Sequence, residues 1–126
     1  MNTSTAIPSA DFARYRVTAQ QREVARQAAL EAHRERALAV ARSAADLLRQ
    51  DFGVTTVLLF GSLARGGPVS LRSDVDLAVR DLASDRYFVA VGQLQALDAA
   101  VPVDLLRLEE APLPLQTAIE REGVDL

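Results

Sequence analysis

Between Val17 and Asp51 the chain contains neither glycine nor proline, and alanine, arginine, glutamine, glutamate and leucine dominate. These residue types lose little on entering a helix, so the run predicts one long helix, bounded at 17–52. At 1.5 Å per residue it would extend about 52 Å, more than the diameter of a domain of 126 residues. Three outcomes satisfy that constraint. The helix breaks in two, its N-terminal half leaves the core to meet a partner, or that half ends as a solvated, Arg/Glu-laced extension. Leu38, Ala41, Ala45, Leu48 and Phe52 recur at alternating spacings of three and four, which makes one apolar stripe. Upstream the stripe thins to Val24, Ala28 and Ala32, side chains that bury little area. Gly53 is the expected helix stop, and residues 1–16, small and polar with one proline, read as an irregular lead-in.

After residue 53 the texture changes, and 53–126 is expected to form the core domain. Val54–Phe60 is β-branched and aromatic, the composition of a buried strand. Gly61-Ser62 opens a turn and a short helical piece that Gly67-Pro68 ends. Asp74–Val79 alternates polar and apolar residues, as a strand with one buried face does. Ser84–Ala99 reads as a helix capped by Ser84. Pro102–Leu108 is a third strand, and Leu113–Glu122 a last short helix before Gly123. The order predicts an α/β (α+β) fold with a small mixed sheet of three to four strands flanked by helices.

Composition excludes several kinds of chemistry. All 14 basic residues are arginine, set against 17 acidic ones for a net charge of −3. Nucleic-acid binding through a basic face is therefore not expected, although a local basic cleft is compatible with the balance. Without cysteine there is no thiolate nucleophile, disulfide or Cys-based zinc site. The single histidine, His33, rules out His-cluster metal sites, and its polar surroundings place it in solvent. No apolar run approaches a membrane span and the N-terminus has no cationic-then-apolar signal pattern, so a cytoplasmic protein is expected.

Four groups of residues could carry chemistry. Gly61 and Ser62 follow a buried strand and open a helical turn, where free amides and a hydroxyl can meet an anion; most such pairs are ordinary turns. In Ser73-Asp74-Val75-Asp76, two carboxylates two apart on a strand point to one face, about 6.6 Å along the chain. They either bind a hard divalent cation together with phosphate oxygens or are plain surface aspartates. Asp104 interrupts the apolar run Val101–Leu106, where a buried charge is costly unless paired or metal-bound. Arg65 and Arg72 flank the phosphate-type loop and offer planar forks that pair with phosphate. Glu109 and Glu110 read as a charged loop, and Tyr15 and Tyr87 as packing residues.

Gly61-Ser62, eleven residues, then Asp74-x-Asp76 and a later strand Asp resembles the DNA polymerase β-type nucleotidyltransferase superfamily. More narrowly, Leu59-Phe60-Gly61-Ser62-x-Ala64-Arg65-Gly66 followed by Ser73-Asp74-Val75-Asp76-Leu77-Ala78-Val79 is similar to the minimal nucleotidyltransferases, the MNT group. These are commonly the antitoxins of HEPN–MNT toxin–antitoxin pairs. The match spans about residues 36–126, and the eleven-residue gap, slightly longer than in many relatives, differs only in the loop at 67–72. The resemblance implies a polymerase β-type nucleotidyltransferase fold. It implies that Gly61 and Ser62 hold the nucleotide's β- and γ-phosphates, near which Arg65 or Arg72 could supply positive charge. Asp74, Asp76 and Asp104 would then hold two Mg²⁺ ions, Asp104 also helping to deprotonate an acceptor hydroxyl. The reaction implied is attack on the α-phosphorus of ATP with release of pyrophosphate.

Aminoglycoside nucleotidyltransferases share this motif but carry a further helical domain, whereas 22 residues follow Asp104 here. The acceptor is therefore expected to be a protein. For MNT antitoxins the family implies AMP transfer to a tyrosine of a HEPN ribonuclease toxin. The alternatives are an antitoxin that neutralises its partner by binding alone, and a small-molecule nucleotidyltransferase working with a separate helical subunit. The long helix is the natural element for docking a partner or a second copy. Ribonuclease activity in the chain itself is not expected. HEPN enzymes carry Arg and His with four to six residues between them, and Arg26 with His33, six residues between, meets only the loosest form of that pattern.

Overall fold

The structure is a computed structural model and describes residues 9–67, 69–71 and 73–126. A single helix, α1, runs unbroken from Ser9 to Phe52 over 44 residues, about 66 Å at helical rise. It begins eight residues before the expected Val17, so half of the stretch read as irregular is helical. Asp11 in its first turn favours that start by facing the helix's positive end. At the other end Gly53 takes φ 68°, and the Val54 amide donates to the Leu48 carbonyl at 3.2 Å.

The rest alternates strands and helices: β1 Thr56–Phe60, α2 Gly61–Arg65, β2 Val75–Arg80, α3 Tyr87–Gln95, β3 Val103–Arg107, α4 Leu113–Glu122 and β4 Val124–Asp125. Short 3₁₀ turns at Ser84–Arg86 and Leu108–Glu110 precede α3 and α4. The four strands form one mixed sheet in the order β3-β2-β1-β4. β1 is antiparallel to β2 and β4, while β2 and β3 run parallel.

The sheet's two faces are filled unequally. Val57, Leu59, Val75, Leu77, Val79, Val103 and Leu105 project from one face into the main core, where α1 and α3 meet them. α1 contributes Ala37, Val40, Ala41, Ala44, Ala45, Leu48 and Phe52; α3 contributes Ala90 and Leu94. Alanines on α1 let the helix lie close to the sheet, and Leu48, fully buried, fills the space between them. Among the described residues, the opposite face has only a small cluster of Leu58, Ala78, Leu108 and Ile119, with Phe60 and Leu106 at its margin.

Residues 11–29 of α1 are exposed without exception. The overlong helix therefore neither breaks nor folds back; its first half leaves the core. Tyr15, expected to pack, lies on that overhang and is 70% exposed. Tyr87 does pack: its hydroxyl donates to the Leu105 carbonyl at 2.6 Å. Glu109 and Glu110 sit in a 3₁₀ turn rather than a free loop. Glu109 accepts from the Asp81 amide and Glu110 pairs with Arg107.

Candidate active site

Two strand ends and one turn assemble the site. β1 runs buried through Val57–Leu59 and delivers Phe60 opposite Asp76 of β2. The next residue, Gly61, turns the chain into α2 with φ 78°, a region L side chains rarely occupy. A second constraint falls on the same position. A Cβ built there would overlap Asp76 Oδ2 and lie 3.2 Å from its Cγ. Only glycine lets the turn and the carboxylate sit this close together.

β2 carries Asp76, and Asp74 lies one residue before the strand begins. Val75 and Leu77 are fully buried in the main core, so strand alternation sends Asp76 to the opposite, thinly covered face. The parallel register with β3 places Asp104 directly opposite Asp76. One carboxylate oxygen from each of Asp74, Asp76 and Asp104 lies within 4.8 Å of the others. Asp74 and Asp76 are half-buried, while Asp104 is exposed. Its place in an apolar strand thus follows from alternation between buried Val103 and Leu105, not from burial of the charge.

Without a cation, these three groups are poorly matched. Partial burial, then the Asp104 charge and hydrogen bonding to it, raises the Asp74 carboxyl above its ordinary range. Asp76 is pushed up to about 6, chiefly by burial and then by the charges of Asp104 and Asp74, with Arg65 opposing the shift. Like charges at this spacing favour the protonated form unless a positive ion neutralises them. An all-oxygen, carboxylate set of this kind suits a hard divalent cation such as Mg²⁺, which takes one or two carboxylates plus phosphate oxygens.

The structure brings Gly61, Asp74, Asp76 and Asp104 together, and Ser62 follows Gly61 on the opening turn of α2. Arg65 is exposed on the last turn of α2, and its charge reaches Asp76. Arg72 lies outside the described residues. Two contributors are absent from the motif. α4 supplies Leu115, Ala118, Ile119 and Glu122 to a cleft of about 250 Å³ whose other wall is Phe60, Gly61, Ala64 and Arg65. His33, expected in solvent, is half-buried, with Nε2 3.2 Å from the Ser73 carbonyl. The only sequence signal for it is that it is the sole histidine.

A family model described as polymerase beta, nucleotidyltransferase matches residues 43–126. No curated protein matches the chain in sequence. Among solved structures, a proposed minimal nucleotidyltransferase is 27% identical with a TM-score of 0.58, over 74% of this chain and 95% of that one. A toxin–antitoxin structure with AMP-PNP is 25% identical, TM-score 0.57, over 68% of this chain and 70% of that one. The tri-AMPylated Shewanella oneidensis HEPN toxin in complex with MNT antitoxin matches at 22% identity and TM-score 0.53, over 70% of this chain and 69% of that one, a likeness of fold.

Proposed function

The chain belongs to the polymerase β nucleotidyltransferase family, and from that premise we propose that it transfers AMP from ATP to a hydroxyl, a tyrosine's, of a HEPN ribonuclease toxin, acting as its antitoxin. The observation that carries the reading is the convergence of three carboxylates within 4.8 Å beside a glycine turn that admits no side chain. A protein that only masks its partner has no physical need to hold like charges together against their repulsion. The likeness to a toxin–antitoxin structure holding AMP-PNP supports the choice of nucleotide and of partner class.

In this reading the acceptor oxygen attacks the α-phosphorus of ATP. The new P–O bond forms as the bond to the β-phosphate oxygen breaks, pyrophosphate leaves, and the hydroxyl proton passes to Asp104. Gly61 and Ser62 hold the outgoing phosphates through backbone amides and the serine hydroxyl, and Arg65 adds positive charge. Asp74 and Asp76, with Asp104, would hold Mg²⁺, which when bound offsets the negative charge gathering on the transferred and leaving oxygens. The carboxylates' own work is to fix that charge beside the turn. The exposed half of α1, residues 11–29, is the element we assign to toxin docking. No helix among the described residues is long and apolar enough to cross a membrane.

Co-incubating the chain, its toxin and Mg²⁺ with ATP labelled at either the α- or the γ-phosphate tests this directly. Label is expected on the toxin from α-labelled ATP only, and none with Asp76→Asn. Neutralisation of the toxin without transfer of the α-label would replace enzymatic silencing by masking.

A further inference from the structure

Asp76 and Asp74 are held very differently. Asp76 sits inside β2, paired in register with Phe60 on one side and Asp104 on the other. Asp74 lies one residue before the strand begins and has no partner in either ladder. Behind it, the Val75 amide donates to the Pro102 carbonyl at 2.9 Å. Ahead of it, the Ser73 amide donates to the Ser70 carbonyl at 3.2 Å. A carboxylate at such a junction needs something outside the sheet to fix its approach.

His33 supplies that contact from 40 residues away. Its ring is half-buried on α1, and Nε2 lies 3.2 Å from the Ser73 carbonyl oxygen. That carbonyl and the Asp74 amide belong to one planar peptide unit, so holding the oxygen orients the backbone from which the Asp74 side chain departs. A carbonyl only accepts, hence Nε2 must carry the proton. The nearby Asp98 is occupied elsewhere: Arg36 binds both its carboxylate oxygens, at 2.5 and 2.8 Å, and the Ala100 amide donates to it at 2.9 Å. On the same turn of α1, Arg34 reaches the Leu63 carbonyl of α2 at 3.5 Å. Adjacent residues of one helix thus touch α2, which the glycine turn opens, and the backbone just before β2.

We propose that His33 is a positioning residue: by donating from Nε2 to the Ser73 carbonyl it fixes Asp74 in the geometry that lets the three carboxylates bind a divalent cation. This rests on reading Asp74, Asp76 and Asp104 as a metal site, and the experiment separates the two. Mn²⁺ alone, titrated calorimetrically into the full chain, is the probe. His33→Ala is expected to weaken Mn²⁺ binding about five- to tenfold, the scale of one hydrogen bond's net contribution. His33→Gln, which keeps an N–H donor, is expected to restore affinity to within about twofold. Arg36→Ala, which removes a neighbouring α1 contact without touching Ser73, is expected to leave Mn²⁺ affinity unchanged.

Unchanged affinity in His33→Ala overturns the proposal, as does an equal loss in His33→Ala and His33→Gln, which would signal packing alone. Wild-type Mn²⁺ binding that Asp76→Asn does not reduce, or no binding at all, overturns the metal-site reading and the proposal with it. If His33→Ala fails to fold, the wild type still decides the matter. Long-range proton–nitrogen NMR of the single imidazole is expected to show the proton on Nε2. A proton on Nδ1 overturns the proposal.

Discussion

Replacing Gly61 by alanine probes the site without altering its charge, because it adds one methyl group and removes nothing. Two effects are expected to act together. Gly61 has φ 78°, and an L residue held in the left-handed region costs about 1–2 kcal/mol. The new Cβ would also overlap Asp76 Oδ2, lying 3.2 Å from its Cγ and 3.4 Å from its Cβ. Ladders on both sides hold the Asp76 backbone, so the strain is relieved by rotating the side chain and carrying the carboxylate away from Asp74 and Asp104. Gly53→Ala separates these effects. Gly53 also has a positive φ, 68°, but a Cβ there meets nothing within 4 Å. Both variants are therefore expected to lose about 1–2 kcal/mol, roughly 3–10 °C in Tm for a chain of this size. Only Gly61→Ala is expected to lose divalent-cation affinity, by at least about tenfold, the scale on which disturbed ligand placement acts. Denaturant unfolding measures the first quantity and Mn²⁺ calorimetry the second. Equal stability loss in the two variants together with wild-type Mn²⁺ affinity in Gly61→Ala would refute the claim that the glycine exists to admit the Asp76 carboxylate.

Three other measurements bear on the same structure. Asp74→Asn and Asp76→Asn each remove a charge from a self-repelling cluster. The metal-free variants are expected to be at least as stable as the wild type and to lose its stabilisation by Mg²⁺, about 2.7 kcal/mol at a hundredfold excess over Kd; an undiminished Mg²⁺-dependent rise in Tm would count against the site. Asp76, raised from 3.8 to about 6, binds its proton more tightly in the folded than in the unfolded chain. Its ionisation therefore costs stability at neutral pH, and metal-free protein is expected to gain stability as pH falls from about 7 towards 4. Subtracting the Asp76→Asn profile isolates this term, and two parallel profiles would contradict it; Mn²⁺ affinity moves the opposite way, falling through about pH 6. Finally, Leu48, fully buried against the sheet, and Val24, 69% exposed on the overhang, lie on one helix. Leu48→Ala is expected to cost about 2–5 kcal/mol and Val24→Ala less than about 0.5 kcal/mol; comparable losses in unfolding experiments would mean that the overhang packs.

What could be read from the amino-acid order follows the range of the forces involved. The strands at 56–60, 75–80 and 103–107 are visible because local alternation and β-branched runs reflect burial one residue at a time. The glycine turn and the acidic pair are visible for the same reason, lying at the ends of those runs. The start of α1 is not, because Pro8, Phe12 and Tyr15 interrupt an otherwise helix-favouring composition and nothing in the core decides where an unburied helix begins. β4 has two residues, Val124 and Asp125, with no local signature; pairing with Leu59 and Leu58 creates it. The exposure of Asp104 and the reach of His33 to Ser73 depend on contacts across tens of residues, which no local pattern encodes.

The site's geometry and the fold's stability are set by one register. Val75, Leu77, Val103 and Leu105 are buried, so sliding β2 or β3 by one residue would turn their apolar side chains out and drive Asp76 or Asp104 into the main core. Burying such a carboxylate without a partner is far more costly than losing a single ladder hydrogen bond. The alternation that drives the strands together therefore also aims the carboxylates at the open face. The parallel pairing of β2 with β3 puts Asp76 opposite Asp104, and the antiparallel pairing of β2 with β1 puts Phe60 opposite Asp76. The residue after Phe60 must then turn away beside a carboxylate, where only glycine fits. Asp74, just outside the paired register, is the one member of the set that the sheet does not place, and it is there that α1 reaches across to the chain.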